Sequence, residues 1–197
     1  MKTIKFARLG DLASITTLQT FRDKAPDYTD QGDAYGLSIK DLTGAWPQPL
    51  TLLPKISIMP GHGGECVADG DILMPGRGTA YPARYYARGS ERLFTLGQVY
   101  VIRPHDKLIG RYLAWYLNQS ECQGILKSQI SGTTVMSLKK SSLTAIEVAV
   151  PSADVQQRIG EFNALNDSRT LLQSMLTIKQ RIELDSACKL ILSSEQL

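Results

Sequence analysis

The chain has 197 residues, 43% of them hydrophobic and 21% charged, and a formal net charge of +3. That is room for one domain with a sizeable core plus an appendage, in a composition that is globular rather than disordered or fibrous. No apolar run approaches the ~20 residues of a membrane span, the N-terminus "MKTIKFARLGDLASI" is too polar for a secretory signal, and the three well-separated cysteines (Cys66, Cys122, Cys188) read as reduced thiols, so a cytoplasmic protein is expected.

In chain order, short apolar runs bounded by Gly, Pro or Asp predict strands at 35–43 ("YGLSIKDLT"), 53–60 ("LPKISIMP"), 70–75 ("GDILMP") and 98–104 ("QVYVIRP"). Two long loops, 22–35 and 76–92, separate them, and long loops on a β scaffold are where binding surfaces lie. Two helices follow. "GRYLAWYLNQS" (110–120) sets Leu113, Trp115, Tyr116 and Leu117 on overlapping faces, with both aromatics expected in the core, and "ECQGILKSQI" (121–130) continues despite Gly124. "IEVAVP" (146–151) alternates with period two and ends at Pro151.

From Asp154 the pattern changes. Ser152 is placed to cap a helix, and Val155, Ile159, Phe162, Leu165, Leu172, Met175 or Leu176, Ile182 and Leu190 recur at spacings near three and four with no further proline. A helix over 154–192 would be about 58 Å long, well beyond the ~30 Å of a small domain. Its heptad is imperfect. Leu165, Leu172, Lys179 and Ser186 form one seam, and Ser168, Met175, Ile182 and Lys189 the other, apolar at the centre and polar at the ends. This describes a helix covered by a partner along a wide stripe; a helix folded back on its own domain is the alternative. The expected class is α+β: a β-rich domain with a few helices over 1–151, then one long coiled-coil-type helix over 152–197.

Charge is uneven. Residues 76–140 hold 10 Lys/Arg and 3 Asp/Glu, a local +7, between segments that are weakly acidic. A basic centre suits a polyanion-facing surface, and equally an ordinary solvated face. Catalytic patterns are missing. There is no phosphate loop, "GRG" at 76–78 is a glycine turn only, and the two histidines, His62 and His105, lack metal-ligand spacing from Cys or a carboxylate. No cofactor or metal is expected. His62 with Asp69 and Asp71 is the one acid–base set that can be drawn, and it lacks a nucleophile.

The ordered set "KFARLGDLASI", "GDILMPGRG" and "VYVIRP…KLIGRYLAWYLNQSECQGILKSQISGTTVMSLKKSSLTAIEVAVPSADVQQRI" resembles one half of the DNA-specificity subunit of type I restriction–modification systems. The residues that carry the likeness are Gly70–Leu73 with Gly78, Val101–Pro104, Tyr112–Asn118, Gly132–Thr134, Val148–Pro151, and Gln156, Gln157 and Ile159. The resemblance implies a non-catalytic target recognition domain followed by one spacer helix. A full family member has two of each, with the helices antiparallel, so that each domain reads one part of a split target. One copy here implies either a half-subunit that dimerises through the helix and reads a palindromic split target, or a truncated subunit. The implied partners are double-stranded DNA and the methyltransferase subunits of the same system.

The resemblance does not fix the contact residues. Charge and loop position nominate Arg77, Arg84, Arg88 and Arg92, with Tyr85 and Tyr86 between them, because arginine pairs bidentately with guanine and an aromatic can stack or meet a thymine methyl. A second patch, Thr133, Thr134, Ser137, Lys139 and Lys140, is nominated for phosphates; a helix-capping turn with two surface lysines is the alternative. Ile159, Phe162, Leu165, Leu172, Met175 and Ile182 are nominated for the partner helix. The rival readings are a protein-interaction adaptor without DNA affinity and an enzyme built on His62, Asp69 and Asp71.

Overall fold

The structure is a computed structural model and describes residues 4–18, 27–28, 31–47, 49–57, 66–87, 91–129 and 136–194. Its central sheet orders β2 (Ala13–Thr17), β9 (Val99–Pro104), β6 (Ile72–Pro75) and β7 (Arg84–Tyr85), all antiparallel. Ile72 faces Ile102, Leu73 faces Val101 and Met74 faces Tyr100. Successive side chains of a strand point to opposite faces, and here both faces are covered. Ile15, Ile72, Met74, Tyr100 and Ile102 pack with α3 (Gly110–Leu117) and α4 (Ser120–Ser128) in one core. Leu73, Val99 and Val101 pack with Leu37, Leu42, Leu53 and Leu93 in another. That two-sided burial is why "ILM" and "VYVI" are continuous apolar runs rather than alternating ones.

A second sheet orders β3 (Asp27–Tyr28), β5 (Lys55–Ser57), β4 (Ala34–Leu37) and β8 (Leu93–Thr95), with β4 and β8 parallel. The strand expected over 35–43 stops at Leu37. The Asp41 carboxylate accepts from both the Ser38 N–H (2.8 Å) and the Ser38 hydroxyl (2.6 Å), and that capping box starts α2 (Ile39–Thr43). The predicted strand 53–60 is described only to Ser57, where it is β5. Not anticipated as elements were β2, β3, β7, β8, α1 (Leu9–Leu12) and α5 (Lys140–Thr144), each of five residues or fewer; β3 and β7 fall inside the two expected loops.

β1 (Lys5–Arg8) pairs antiparallel with β10 (Glu147–Val150), Lys5 opposite Val150. This ladder brings the N-terminal strand to the point from which α6 (Ala153–Ser194) departs. At 42 residues α6 is about 63 Å long. Its first turns are fixed by Gln156, 1% exposed, whose Oε1 accepts the Ile109 N–H (2.9 Å) and whose Nε2 donates to the carbonyls of Lys107 (3.1 Å) and Pro151 (3.0 Å). Gly160 lies directly on α3.

Trp115 and Tyr116 are half-buried against the core, and Leu113 and Leu117 are fully inside it. Burial pushes the Tyr112 phenol up to about 12, with Tyr116 adding to it, so at neutral pH it is the donor to the Ala149 carbonyl (2.8 Å). Burial likewise pushes the Cys122 thiol up to about 11. At pH 8 only about one Cys122 in a thousand is then thiolate, whereas Cys188 is exposed on α6. A thiol reagent is therefore expected to label Cys188 rapidly and Cys122 only after denaturant is added; mass spectrometry of the labelled peptides reads the order. Among the described residues no helix is long and apolar enough to cross a membrane.

Candidate nucleic-acid interface

The turn at 76–78 is built by backbone hydrogen bonds. The Gly76 N–H donates to the Gln98 carbonyl (2.8 Å), the Leu138 N–H to the Gly76 carbonyl (2.9 Å), and the Gly78 N–H to the Met136 carbonyl (2.9 Å). Both glycines are required. A Cβ on Gly76 would stand 2.9 Å from the Gln98 carbonyl oxygen, and Gly78 has φ +109°. Between them Arg77 bridges to Ser137, whose hydroxyl accepts from Gln98 Nε2 (3.3 Å). Tyr81 donates its hydroxyl to the Gly78 carbonyl (2.7 Å) and Tyr100 to the Leu138 carbonyl (2.7 Å).

Lys139 and Lys140 follow directly. Leu138 and Leu143 are fully buried on either side of them, and the Lys139 carbonyl accepts the N–H groups of Ser142 and Leu143, so the start of α5 is pinned while both ammonium groups face solvent. The structure thus joins Arg77 from the first nominated loop to Ser137 from the second patch, with Lys139 and Lys140 directly following, so that three exposed cations sit on a hydrogen-bonded turn and the start of α5. Thr133, Thr134 and Arg88 lie outside the described residues.

The rest of the arginine–tyrosine loop is elsewhere and otherwise engaged. Arg84 donates Nε to the Leu42 carbonyl (3.0 Å) and Nη2 to the Gly44 carbonyl (3.2 Å), closing the C-terminal end of α2. Desolvation lowers its pKa, against the attraction of Asp167. Tyr85 lies under the Arg111 guanidinium, 4.4 Å from ring centre to Cζ, and its carbonyl accepts from Trp46 Nε1 (3.2 Å). Tyr86 is 5% exposed within the second core, so its ring is not open to a base; residues 84–86 are a packed edge strand and its flank, not the loop expected. Arg92 binds Asp33 (2.8 Å) and stacks on Phe94 beside the second sheet.

Residues 83–87 and α6 enclose a cleft of about 540 Å³ whose lining includes Trp46, Leu50, Arg84, Arg111 and Asp167. Partial burial raises the Asp167 pKa, opposed by Arg84, by a hydrogen bond from Asn163 and by Arg111. Asp69 and Asp71 of the rival enzyme reading do not line this cleft. Asp71 is fully buried in a two-point pair with Arg103, Nε to Oδ1 at 2.8 Å and Nη2 to Oδ2 at 2.9 Å, and its Oδ2 also accepts the Ala68 N–H (2.8 Å). Asp69 is exposed and His62 lies outside the described residues. Among the described residues no group of three or more His, Cys, Asp or Glu could hold a metal ion. Gln98 and Arg103 were not nominated from the sequence: Gln98 precedes β9 and carries no motif, and Arg103 lies in the "VIRP" run without any sign of its pairing to Asp71.

On α6, Phe162 (71% exposed), Leu165, Leu172 (65%), Met175 and Ile182 all face solvent, as do Leu176, Ile178 and Leu190. Ile159 is the exception among the nominated partner residues: it is half-buried against the domain's own core. The helix therefore divides into a root packed on the domain and a long projecting part with uncovered apolar side chains.

No curated protein sequence matches the chain. Several solved structures share its fold. A structure described under complex assembly and conformational transition of the type I R-M system matches 92% of the chain at 19% identity and a TM-score of 0.63, using 43% of its own length. The HsdS subunit from Thermoanaerobacter tengcongensis matches 86% at 18% identity and 0.57, using 38% of its length, and the type I restriction-modification S subunit from M. genitalium matches 91% at 14% identity and 0.60, using 43%. The chain spans less than half the length of each. Residues 1–184, from the β1 strand through most of α6, match the family profile of the type I restriction modification DNA specificity domain, and the chain belongs to that family.

Proposed function

We propose that residues 1–151 are a target recognition domain that binds one half-site of a bipartite sequence in double-stranded DNA, and that residues 152–197 are a spacer helix that pairs with a second copy and docks methyltransferase subunits of a type I restriction–modification complex. The protein itself is a non-catalytic recognition subunit, working in the cytoplasm where its DNA lies. The observation that carries the reading is the hydrogen-bonded basic turn of Arg77, Lys139 and Lys140 on a fold of the specificity family. Lys139 and Lys140 neutralise phosphates and hold the register, while Arg77, with its fork of donors, reads a base edge. Arg84, Tyr85 and Tyr86, by contrast, support the domain, because the Arg84 guanidinium donates to protein carbonyls, the Tyr85 ring lies under Arg111 and the Tyr86 ring is buried.

Lys139→Ala is expected to reduce the slope of log K against log salt by about one unit without changing sequence preference, and Arg77→Ala to cost about 1–3 kcal/mol at one position of the target only. The measurement is fluorescence anisotropy at several salt concentrations, on duplexes selected from a random pool by the parent protein. If both variants bind like the parent, the turn is not the interface. The uncovered apolar side chains of α6 favour a second reading, an adaptor that binds proteins alone. A parent protein that selects no duplex and leaves heparin at low salt would decide for the adaptor.

A further inference from the structure

We propose that Gln156 and Gly160 form a joint that sets the direction in which α6 leaves the domain, and through it the distance between the two half-sites; the second part rests on the function proposed above. The observations are local and independent of any partner. Gln156 uses its amide acceptor and both amide donors on three backbone groups, two from the segment leading into α3 and one from the end of the β10 segment. A buried glutamine held at three points admits one orientation of the helix that carries it, because any rotation leaves a buried polar group without its partner. One turn later Gly160 brings the two helices to contact distance. A Cβ there would stand 2.9 Å from the Arg111 Cβ and 3.3 Å from the Tyr112 nitrogen.

Past Leu171 every described side chain of α6 is exposed through Ser193, so among the described residues no buried side chain farther along the helix corrects an error made at the joint. The lever is long. From Gly160 to Ser194 is about 51 Å, and a change of about 10° at the joint moves the far end by about 9 Å. That is between two and three base-pair steps of about 3.4 Å.

The test measures direction and spacing separately. Spin labels at Cys188 and at a Thr51→Cys substitution, in a Cys66→Ser background and diluted into excess unlabelled protein, report the distance from domain to helix. Gly160→Ala is expected to shift the mean distance by several ångströms, Gln156→Ala to broaden the distribution at least twofold, and Gln157→Ala, on the exposed side of the same turn, to leave it as in the parent. Parent-like distributions for both joint variants overturn the joint. The second arm selects duplexes from a pool with variable spacing between half-sites, and the joint variants are expected to prefer a spacer differing by one base pair or more. A shifted distance with an unchanged spacer preference overturns the ruler role. A parent that selects no duplex counts against the proposed DNA function instead, and the distance arm still decides the joint.

Discussion

Arg103→Met is expected to destabilise the domain by about 2–3 kcal/mol, a fall in Tm of roughly 4–12 °C for a protein of this size. Asp71 is 0% exposed, and its carboxylate is held by two guanidinium hydrogen bonds and one backbone N–H. It stands at the entrance to β6, just after Gly70, whose φ of +86° turns the chain into the strand. Methionine keeps most of the aliphatic stem of Arg103 and leaves the carboxylate buried with a single donor. The opposite deletion is milder. Asp71→Asn still accepts the Ala68 N–H, and the Arg103 side chain, 41% exposed, can return its charge to water. The expected order of urea midpoints is therefore parent, then Asp71→Asn, then Arg103→Met. Equal losses for the two variants would mean that the pair contributes through shape alone. This pair also gives Asp71 a structural occupation, where its sequence neighbourhood suggested acid–base chemistry beside His62 and Asp69.

The elements legible in the sequence were those whose burial leaves a periodic trace. The apolar runs of β6 and β9 stand out because both faces of the central sheet are covered. α6 stands out because 42 residues without proline can hardly be anything else, and the structure extends it by one and two residues beyond the expected 154–192. The boundary between β4 and α2 was misread because the Ser38–Asp41 capping box is only four residues long and lies inside an apolar run that fits either period. The candidate site was legible only in part. Composition pointed to residues 76–140, but the pairing of Arg77 with Ser137 joins positions sixty residues apart, and no spacing rule carries that information. The same applies to Arg84 and Tyr86. In sequence they are an arginine and an aromatic in a long loop, and only the fold shows that α2 takes the guanidinium and the core takes the ring. Ile159 shares the periodicity of Leu165 and Leu172, yet its side chain packs on the domain's core while theirs face solvent, a difference that periodicity alone does not carry.

Leu172→Glu combined with Ile182→Glu is expected to convert the dimer proposed above into a monomer of 21.7 kDa while leaving the domain folded. Both side chains are at least 60% exposed in the single chain, so the substitutions remove nothing from its own core, and glutamate is a good helix former. In a two-fold interface each change occurs twice. Four apolar side chains lose a burial worth about 1.5–3 kcal/mol each, and the total, about 6 kcal/mol or more, weakens association by more than ten-thousandfold. Light scattering over a concentration series reads the mass directly, with Gln157→Ala as a substitution on the root that should stay dimeric. The DNA consequence separates the two parts of the protein. On the function proposed above, binding to a single half-site uses the Arg77–Lys139–Lys140 turn and should persist in the monomer, whereas the gain from a second half-site at fixed spacing needs both copies and should vanish. A parent chain that is monomeric at every concentration would assign the projecting part of α6 to a different chain. The same two glutamates would then be expected to abolish binding to a methyltransferase subunit, because side chains this apolar on a helix this long need some partner to cover them.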